Sequence, residues 1–348
     1  MGFQLIKKLA RPQPAAPAEI SAETLRACIA SLYELPAITE FKKIASGIER
    51  TVWETVTAEG NWLVKVFAVD EAAAAPIREE VRLYQFLRSH GLNVPRVLQS
   101  KSGLSVEIAA LGERSHPVLV MKAEKLRFLS ADSATKSEIQ QFARAAARLH
   151  RIGKNYPHLQ PLVAAAKQKE LAQSQKQLHG AYDLLVASPD GKKFDDKELA
   201  MAAETDRRLV EFLQAQPPVQ SPHSLIHGDY TLRHAPLLEN GESYLFDFED
   251  RAWAPVLRDI TVAVVDMYRE SSIDFPRWRE VTNWFLDGYA SETGAHRHDP
   301  QEVKAQILRQ IHNELIFLLG VSKKTGREIA PRGNKRRFEL AARLLNHK

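Results

Sequence analysis

A chain of 348 residues exceeds the usual size of one small domain, so one large domain or two lobes sharing a cleft is expected. With 44% hydrophobic residues and five Trp it can bury a sizeable core, and a net charge of +5 suits anionic ligands, nucleic acid or lipid without requiring any of them. Cys28 is the only cysteine, which excludes an intrachain disulfide and fits a reducing compartment. The start, MGFQLIKKLARPQPAAPAE, carries Lys7, Lys8 and Arg11 but no long apolar run, and Ile6 breaks the myristoylation pattern. No stretch approaches the roughly 18 apolar residues of a membrane span. A cytoplasmic protein is expected, whose basic amphipathic start either touches the inner face of a membrane or stays a frayed, solvated terminus.

In chain order, Pro12, Pro14 and Pro17 mark a linker, and Ser21 offers an N-cap to a short helix carrying Leu25, Cys28, Ile29 and Leu32. From Ile38 the period changes to that of strands: one near Phe41 to Ala45, a turn at Ser46-Gly47, a second over Thr51 to Thr57, a turn at Glu59-Gly60-Asn61, and a third in WLVKVF. EAAAAPIREEVRLYQFLRSHG reads as a helix ended by Gly91. Residues 93–98 and 106–109 look strand-like, and HPVLVM is a buried strand. Beyond it the chain reads as helical. SEIQQFARAAARLHRIG presents Ile139, Phe142, Ala146 and Leu149 on one face, and two more helices follow in QPLVAAAKQKELAQSQKQLHGAYDLLVA and DKELAMAAETDRRLVEFLQAQ. Short strands are expected around SLIHGD and SYLFDF, then helices to the end. The expected divisions are 1–37 as linker and helix, 38–122 as a small nucleotide-binding lobe, and 123–348 as a catalytic and acceptor-binding lobe.

A strand lobe followed by a helical lobe with carboxylates after the junction suits phosphoryl transfer, which is mostly positioning and charge neutralisation. Gly47, in a strand–turn–strand, lets backbone amides approach phosphate, although it equally suits a plain hairpin. Lys65, flanked by Val64 and Val66, can contact phosphates if Glu80, or the neighbouring Glu79, aims it; solvated charges are the bland alternative. Asp229, after His227-Gly228, can take the acceptor hydroxyl's proton, with His227 as a structural hydrogen-bonder. Asp247 between Phe246 and Phe248 is costly to bury without a partner such as Mg2+, which takes oxygen ligands. His150 reads as a satisfied core histidine.

SGIERTVWETV, WLVKVF, REEVRLYQFLRSHGLNVPRVL, VLVMKAEKL, ARLHRIG, LIHGD, YLFDFED, RDITVAV and NWFLDGYA stand in one order over about residues 38–345. In that order the chain resembles the aminoglycoside phosphotransferase and choline kinase-like branch of the protein kinase-like superfamily. The resemblance implies an α+β, bilobal fold with a small antiparallel-sheet N-lobe plus one helix and a larger, mainly helical C-lobe. It implies ATP and Mg2+ as cofactors, adenine against a hinge at Met121, Lys122, Ala123 and Glu124, and Asp259 bracing the catalytic loop. One departure stands out. Where that branch has an asparagine as a magnesium ligand, this chain has His234, a feature similar to lipopolysaccharide core heptose and Kdo kinases. A neutral imidazole can ligate a divalent ion or bond a phosphate, though it suits Mg2+ less well than an amide oxygen; His234 as a mere loop brace stays open.

Three functions are compatible with the residues and the resemblance. His234 and the basic Arg327, Arg332, Lys335, Arg336 and Arg337 point to a sugar-containing acceptor such as an envelope glycolipid, with peripheral contact to an anionic membrane surface. Glu249, Asp250 and Asp266 instead suit a cationic aminoglycoside or amino alcohol. A catalytically weak kinase-like binding protein is the third. No nucleic acid is expected, because the basic residues are not interleaved with aromatics in a recognisable module.

Overall fold

The structure, a computed structural model, describes residues 20–46, 50–68, 74–112, 114–174, 178–217, 221–294 and 298–347. Gly47 and the basic, proline-rich start lie outside the described residues. The chain forms two compact units that divide between Leu126 and Arg127, rather than after residue 122.

The first unit is built on a five-stranded antiparallel sheet. Its strands are β1 (Ile38–Ser46), β2 (Arg50–Thr57), β3 (Gly60–Phe67), β4 (Glu107–Leu111) and β5 (Arg114–Lys122), in the order β1-β2-β3-β5-β4. Alternation along β3 divides two cores. Trp62, Val64 and Val66 face one side with Leu25 and Ile29 of helix α1 (Ala22–Leu32) and Tyr33 just after it. Leu63 and Phe67 face the other with Ile77 and Val81 of helix α2 (Ala75–Ser89). The helix expected ahead of the fold with the linker is therefore part of this unit: its apolar stripe has the sheet to bury against. Residues 93–98 contribute only isolated pairing, such as Val97 with Met121.

The second unit is mainly helical: α3 (Lys136–Gly153), α4 (Gln160–Ser174), α5 (Tyr182–Val186), α6 (Asp196–Gln214), α7 (Leu257–Glu270), α8 (Phe275–Thr293), α9 (Pro300–Thr325) and α10 (Pro331–Asn346). The single long helix expected over 160–187 is two helices, α4 and α5. A small sheet pairs β6 (His223–Ile226) with β7 (Ala252–Pro255). The strand expected at SYLFDF is not formed; Ser243 makes one isolated bridge to Leu237, and β6 takes its partner from the proline-bearing AWAP instead.

Helix α3 is started by a capping box, Thr135 with Glu138, and buries Ile139, Phe142, Ala146 and Leu149. Helix α7 is buried nearly throughout. The basic carboxyl-terminal segment is not simply a charged face. Arg337 is buried and bonds Glu314 at 2.6 Å, Lys335 meets Glu198 at 2.6 Å, and Arg336 donates to the Ile273 carbonyl at 2.7 Å. Three of the five residues expected to meet an anionic surface thus make internal bonds, because α10 turns its inner face onto the helices before it. Among the described residues no helix is long and apolar enough to cross a membrane.

Helices α3 and α8 approach closely at Gly288, where a Cβ would stand 2.6 Å from Gln140 Cα and 2.7 Å from its carbonyl oxygen. Alanine gains about 1 kcal/mol of helix propensity, but overpacking two backbones costs about 1–3 kcal/mol. Gly288→Ala is therefore expected to lower the thermal midpoint; an unchanged or higher midpoint would mean the two helices part without strain.

Candidate active site

The site in the helical unit starts where β6 ends. Gly228 has φ +86°, and a Cβ on it would lie 1.9 Å from the Asp250 carbonyl oxygen, so only glycine makes this turn. The turn leaves two backbone amides to satisfy, and Asp259 in the first turn of α7 does so. Its carboxylate accepts from His227 N at 2.7 Å and Gly228 N at 2.8 Å. His150 Nε2 donates to the same carboxylate at 3.0 Å, and Tyr289 donates its hydroxyl to His150 Nδ1 at 2.8 Å. Burial works against the Asp259 charge, but the bonds from His150 and Gly228 outweigh it and hold its pKa below the ordinary value. His227 is fully buried, and burial followed by the nearby His234 lowers its pKa. Its neutral ring donates from Nε2 to the Phe246 carbonyl at 2.9 Å, tying the two halves of the loop together.

Three of the sequence-derived residues meet here. His234 Nδ1 donates to the Asp229 carbonyl at 2.8 Å and lies 3.6 Å from Asp229 Oδ2. A carbonyl only accepts, so in neutral His234 the lone pair is on Nε2, 3.7 Å from Asp247 Oδ2. Phe246 N bonds the His234 carbonyl at 3.2 Å, which sets Asp247 opposite the ring. Asp247 has φ 68°, alone among the described non-glycine residues in the left-handed region. Asp229 is buried, and burial, with Asp250 and Asp266 adding, raises its pKa to about 6 against the opposing pull of His234 and Arg269. Asp266 is itself buried and paired with Arg269.

These groups fit a divalent ion that arrives with phosphates. A ring whose second nitrogen is spent on a carbonyl is the usual form of a ligating histidine. Among the described residues no group of three or more His, Cys, Asp or Glu side chains could hold a metal alone. Two protein donors are what Mg2+ needs when phosphate and water supply the rest.

In the sheet unit, Lys65 stands between Leu63 and Phe67 on one sheet face and pairs in register with Leu119. Helix α2 buries Ile77, Glu80, Val81 and Tyr84 on the side that meets this face, and Glu80 accepts the Tyr84 hydroxyl. Glu79 is more exposed and meets Arg82 at 2.5 Å. The periodicity thus sets Lys65 and Glu80 on facing surfaces and favours Glu80 over Glu79. At the end of β5, Met121 is buried in the same core. The Lys122 side chain folds back over Trp62 and donates to the Glu59 carbonyl at 2.7 Å. The amides of Lys122 and Ala123 donate to Arg96 and Asn61 carbonyls at 2.9 and 3.0 Å, while Glu124 is exposed. Any contact to a base from 122–123 therefore falls to carbonyls rather than to these two amides.

Tyr289, the outer end of the brace, is 139 residues from His150 and carries no local signal in the sequence. The need for Gly228 does carry one, since glycine before a candidate base is a readable sign of a tight turn.

Several known proteins are similar to this chain. It is 27% identical over 235 residues to the homoserine kinase of Gluconobacter oxydans (strain 621H), and 24% identical over 224 residues to that of Methylobacterium radiotolerans (strain ATCC 27329 / DSM 1819 / JCM 2831 / NBRC 15690 / NCIMB 10815 / 0-1). The matches cover 66% and 63% of this chain and 66% and 61% of those relatives, so it spans less than two thirds of their length. Similar solved structures include an amicoumacin kinase bound to AMP-PNP, Ca2+ and amicoumacin, at TM-score 0.61 and 15% identity over 92% of this chain and 93% of that one. A microcompartment-associated aminopropanol kinase gives 0.60 and 15% over 92% and 95%. A spectinomycin phosphotransferase bound to ADP and spectinomycin gives 0.60 and 13% over 94% and 98%. At these identities the likeness establishes the fold, the α+β protein kinase-like one. The model of the phosphotransferase enzyme family matches residues 40–300, and the chain belongs to that family.

Proposed function

We propose that the chain is an ATP-dependent kinase that transfers the γ-phosphoryl group to a hydroxyl of a small molecule. The observation that carries this reading is the set of Asp229, His234 and Asp247 on a loop braced by Asp259. Asp229 receives the hydroxyl's proton, and a pKa near 6 makes it a stronger base than a solvated carboxylate while leaving it ionised at neutral pH. Asp247 and His234 hold Mg2+, which when bound neutralises charge on the phosphates. In the sheet unit, Lys65, steadied by Glu80, is the cation offered to phosphates and Met121 to Glu124 are the residues offered to adenine; Gly47 lies outside the described residues.

For the acceptor, an amino-bearing alcohol or hydroxy amino acid has the better support. The relatives at 27% and 24% identity are homoserine kinases, and Asp250 adds negative charge beside Asp229 that suits a cationic group, whereas Asp266 is paired with Arg269. The envelope-glycolipid sugar expected from His234 loses part of its support, since Lys335, Arg336 and Arg337 are engaged internally. His234 itself is accounted for by its two carboxylate neighbours.

Asp229→Ala is expected to lower kcat by about 10²–10⁴-fold while Mg-ATP affinity, read by calorimetry, stays nearly unchanged. Parallel loss of both on a folded variant would remove the role given to Asp229. No Mg-dependent stabilisation of the parent at millimolar ATP would favour a kinase-like binding protein instead.

His234→Asn is expected to keep turnover and raise the rate with Mg2+ relative to Mn2+, because an amide oxygen replaces a nitrogen donor. A dead variant that binds metal–nucleotide normally would rule out the ligand role.

The Asp229 pKa also predicts stability. Its folded value of about 6 lies above the ordinary carboxylate value, so the proton stabilises the fold at low pH and this support is lost as pH rises through 6. In metal-free protein, Asp229→Asn should therefore raise the melting temperature at pH 8 and have little effect at pH 4. An equal change at both pH values would show that the charge is not the cause.

A further inference from the structure

The helical unit contains a second concavity, away from the three site residues, with a volume of about 260 Å³. Pro222, Val256 and Leu286 give it an apolar lining, His150 and Tyr289 form its buried polar part, and Lys154 stands exposed at its margin. A dry apolar cavity of about 150 Å³ suffices for benzene, so this volume holds a ring with a short chain. Among the described residues that line it none is acidic, and His298 joins Arg151 and Lys154 there. Arg151, also in the lining, is matched by Glu292 at 3.0 Å, whereas Lys154 has no carboxylate partner among the described residues. An apolar body ending in one negative charge complements such a lining.

The polar end of this cavity is the outer end of the catalytic-loop brace. Tyr289 bonds His150, His150 bonds Asp259, and Asp259 holds the amides of His227 and Gly228. A group resting on His150 and Tyr289 thus touches a chain of three short hydrogen bonds that ends next to Asp229. We propose that this cavity is a binding site for a small monocarboxylate with an apolar body, and that its occupant tightens the catalytic loop through His150 and Asp259. The carboxylate meets Lys154, and the body packs on Leu286 and Val256. Ordering the rings of His150 and Tyr289 reduces the opening of the two loop amides.

The test uses the full chain without nucleotide, so its outcome is independent of the kinase reading. Calorimetry with 3-phenylpropionate is expected to show saturable one-to-one binding at millimolar concentration or below, and the neutral 3-phenylpropan-1-ol should bind at least tenfold more weakly. Leu286→Trp, which fills the cavity, should abolish binding. Lys154→Glu, an exposed change that leaves the fold intact, should weaken it at least tenfold. Hydrogen exchange at the amides of His227 and Gly228 should slow several-fold with the probe present. Asp229→Ala should bind the probe as the parent does, whatever its turnover. Absence of saturable binding, binding indifferent to both cavity variants, or binding with unchanged exchange at 227–228 would each overturn the proposal.

Discussion

Asp259 is one carboxylate with no exposed surface, yet it accepts from two consecutive backbone amides and from a histidine ring. Those amides belong to a turn whose backbone crosses too close to Asp250 for ordinary strand pairing, and a buried unpaired amide is costly. The rest of the loop inherits its position from that turn. It fixes the Asp229 backbone, the Asp229 carbonyl fixes the His234 ring, and the His234 backbone fixes Phe246 and hence Asp247. A displacement at Asp259 would move all three side chains together, whereas a displacement at His234 would reach Asp247 and leave Asp229 in place.

The unit tolerates several buried charges because they are matched in sequence along the helices. Asp266 meets Arg269, and Arg337 meets Glu314. Breaking such a pair from one side leaves an uncompensated charge and costs about 3–5 kcal/mol, although the intact pair adds little. The first of these pairs lies near Asp229, where Asp266 and Arg269 act on its charge with opposite sign.

Strand and helix periods were legible wherever one face is buried. The alternation Trp62, Val64, Val66 against Leu63, Lys65, Phe67 announces both faces of β3, and Ile139, Phe142, Ala146 and Leu149 announce α3. Asp229, His234 and Asp247 could be picked out because their chemistry is unusual for their apolar surroundings. What sequence did not disclose was governed by distant contacts. The pairing of β6 with a proline-bearing strand depends on the loop geometry between them, and the His150–Tyr289 bond joins two helices far apart in the chain. The basic run near the carboxyl terminus read as a surface because charge alone does not say that Arg337 finds Glu314 inside.

Asp247 occupies a backbone conformation that glycine adopts freely and asparagine adopts readily, while most L residues resist it. Folding alone would accept any of the three there, and would gain from the two that carry no half-buried negative charge. What aspartate adds to this conformation is a carboxylate opposite His234. The position is therefore one where survival of the fold and survival of the chemistry can be separated. A library sorted on expression or heat resistance would drift away from aspartate at 247, whereas one sorted on turnover would hold it, and the divergence of the two populations would mark the residue as functional without any knowledge of the substrate.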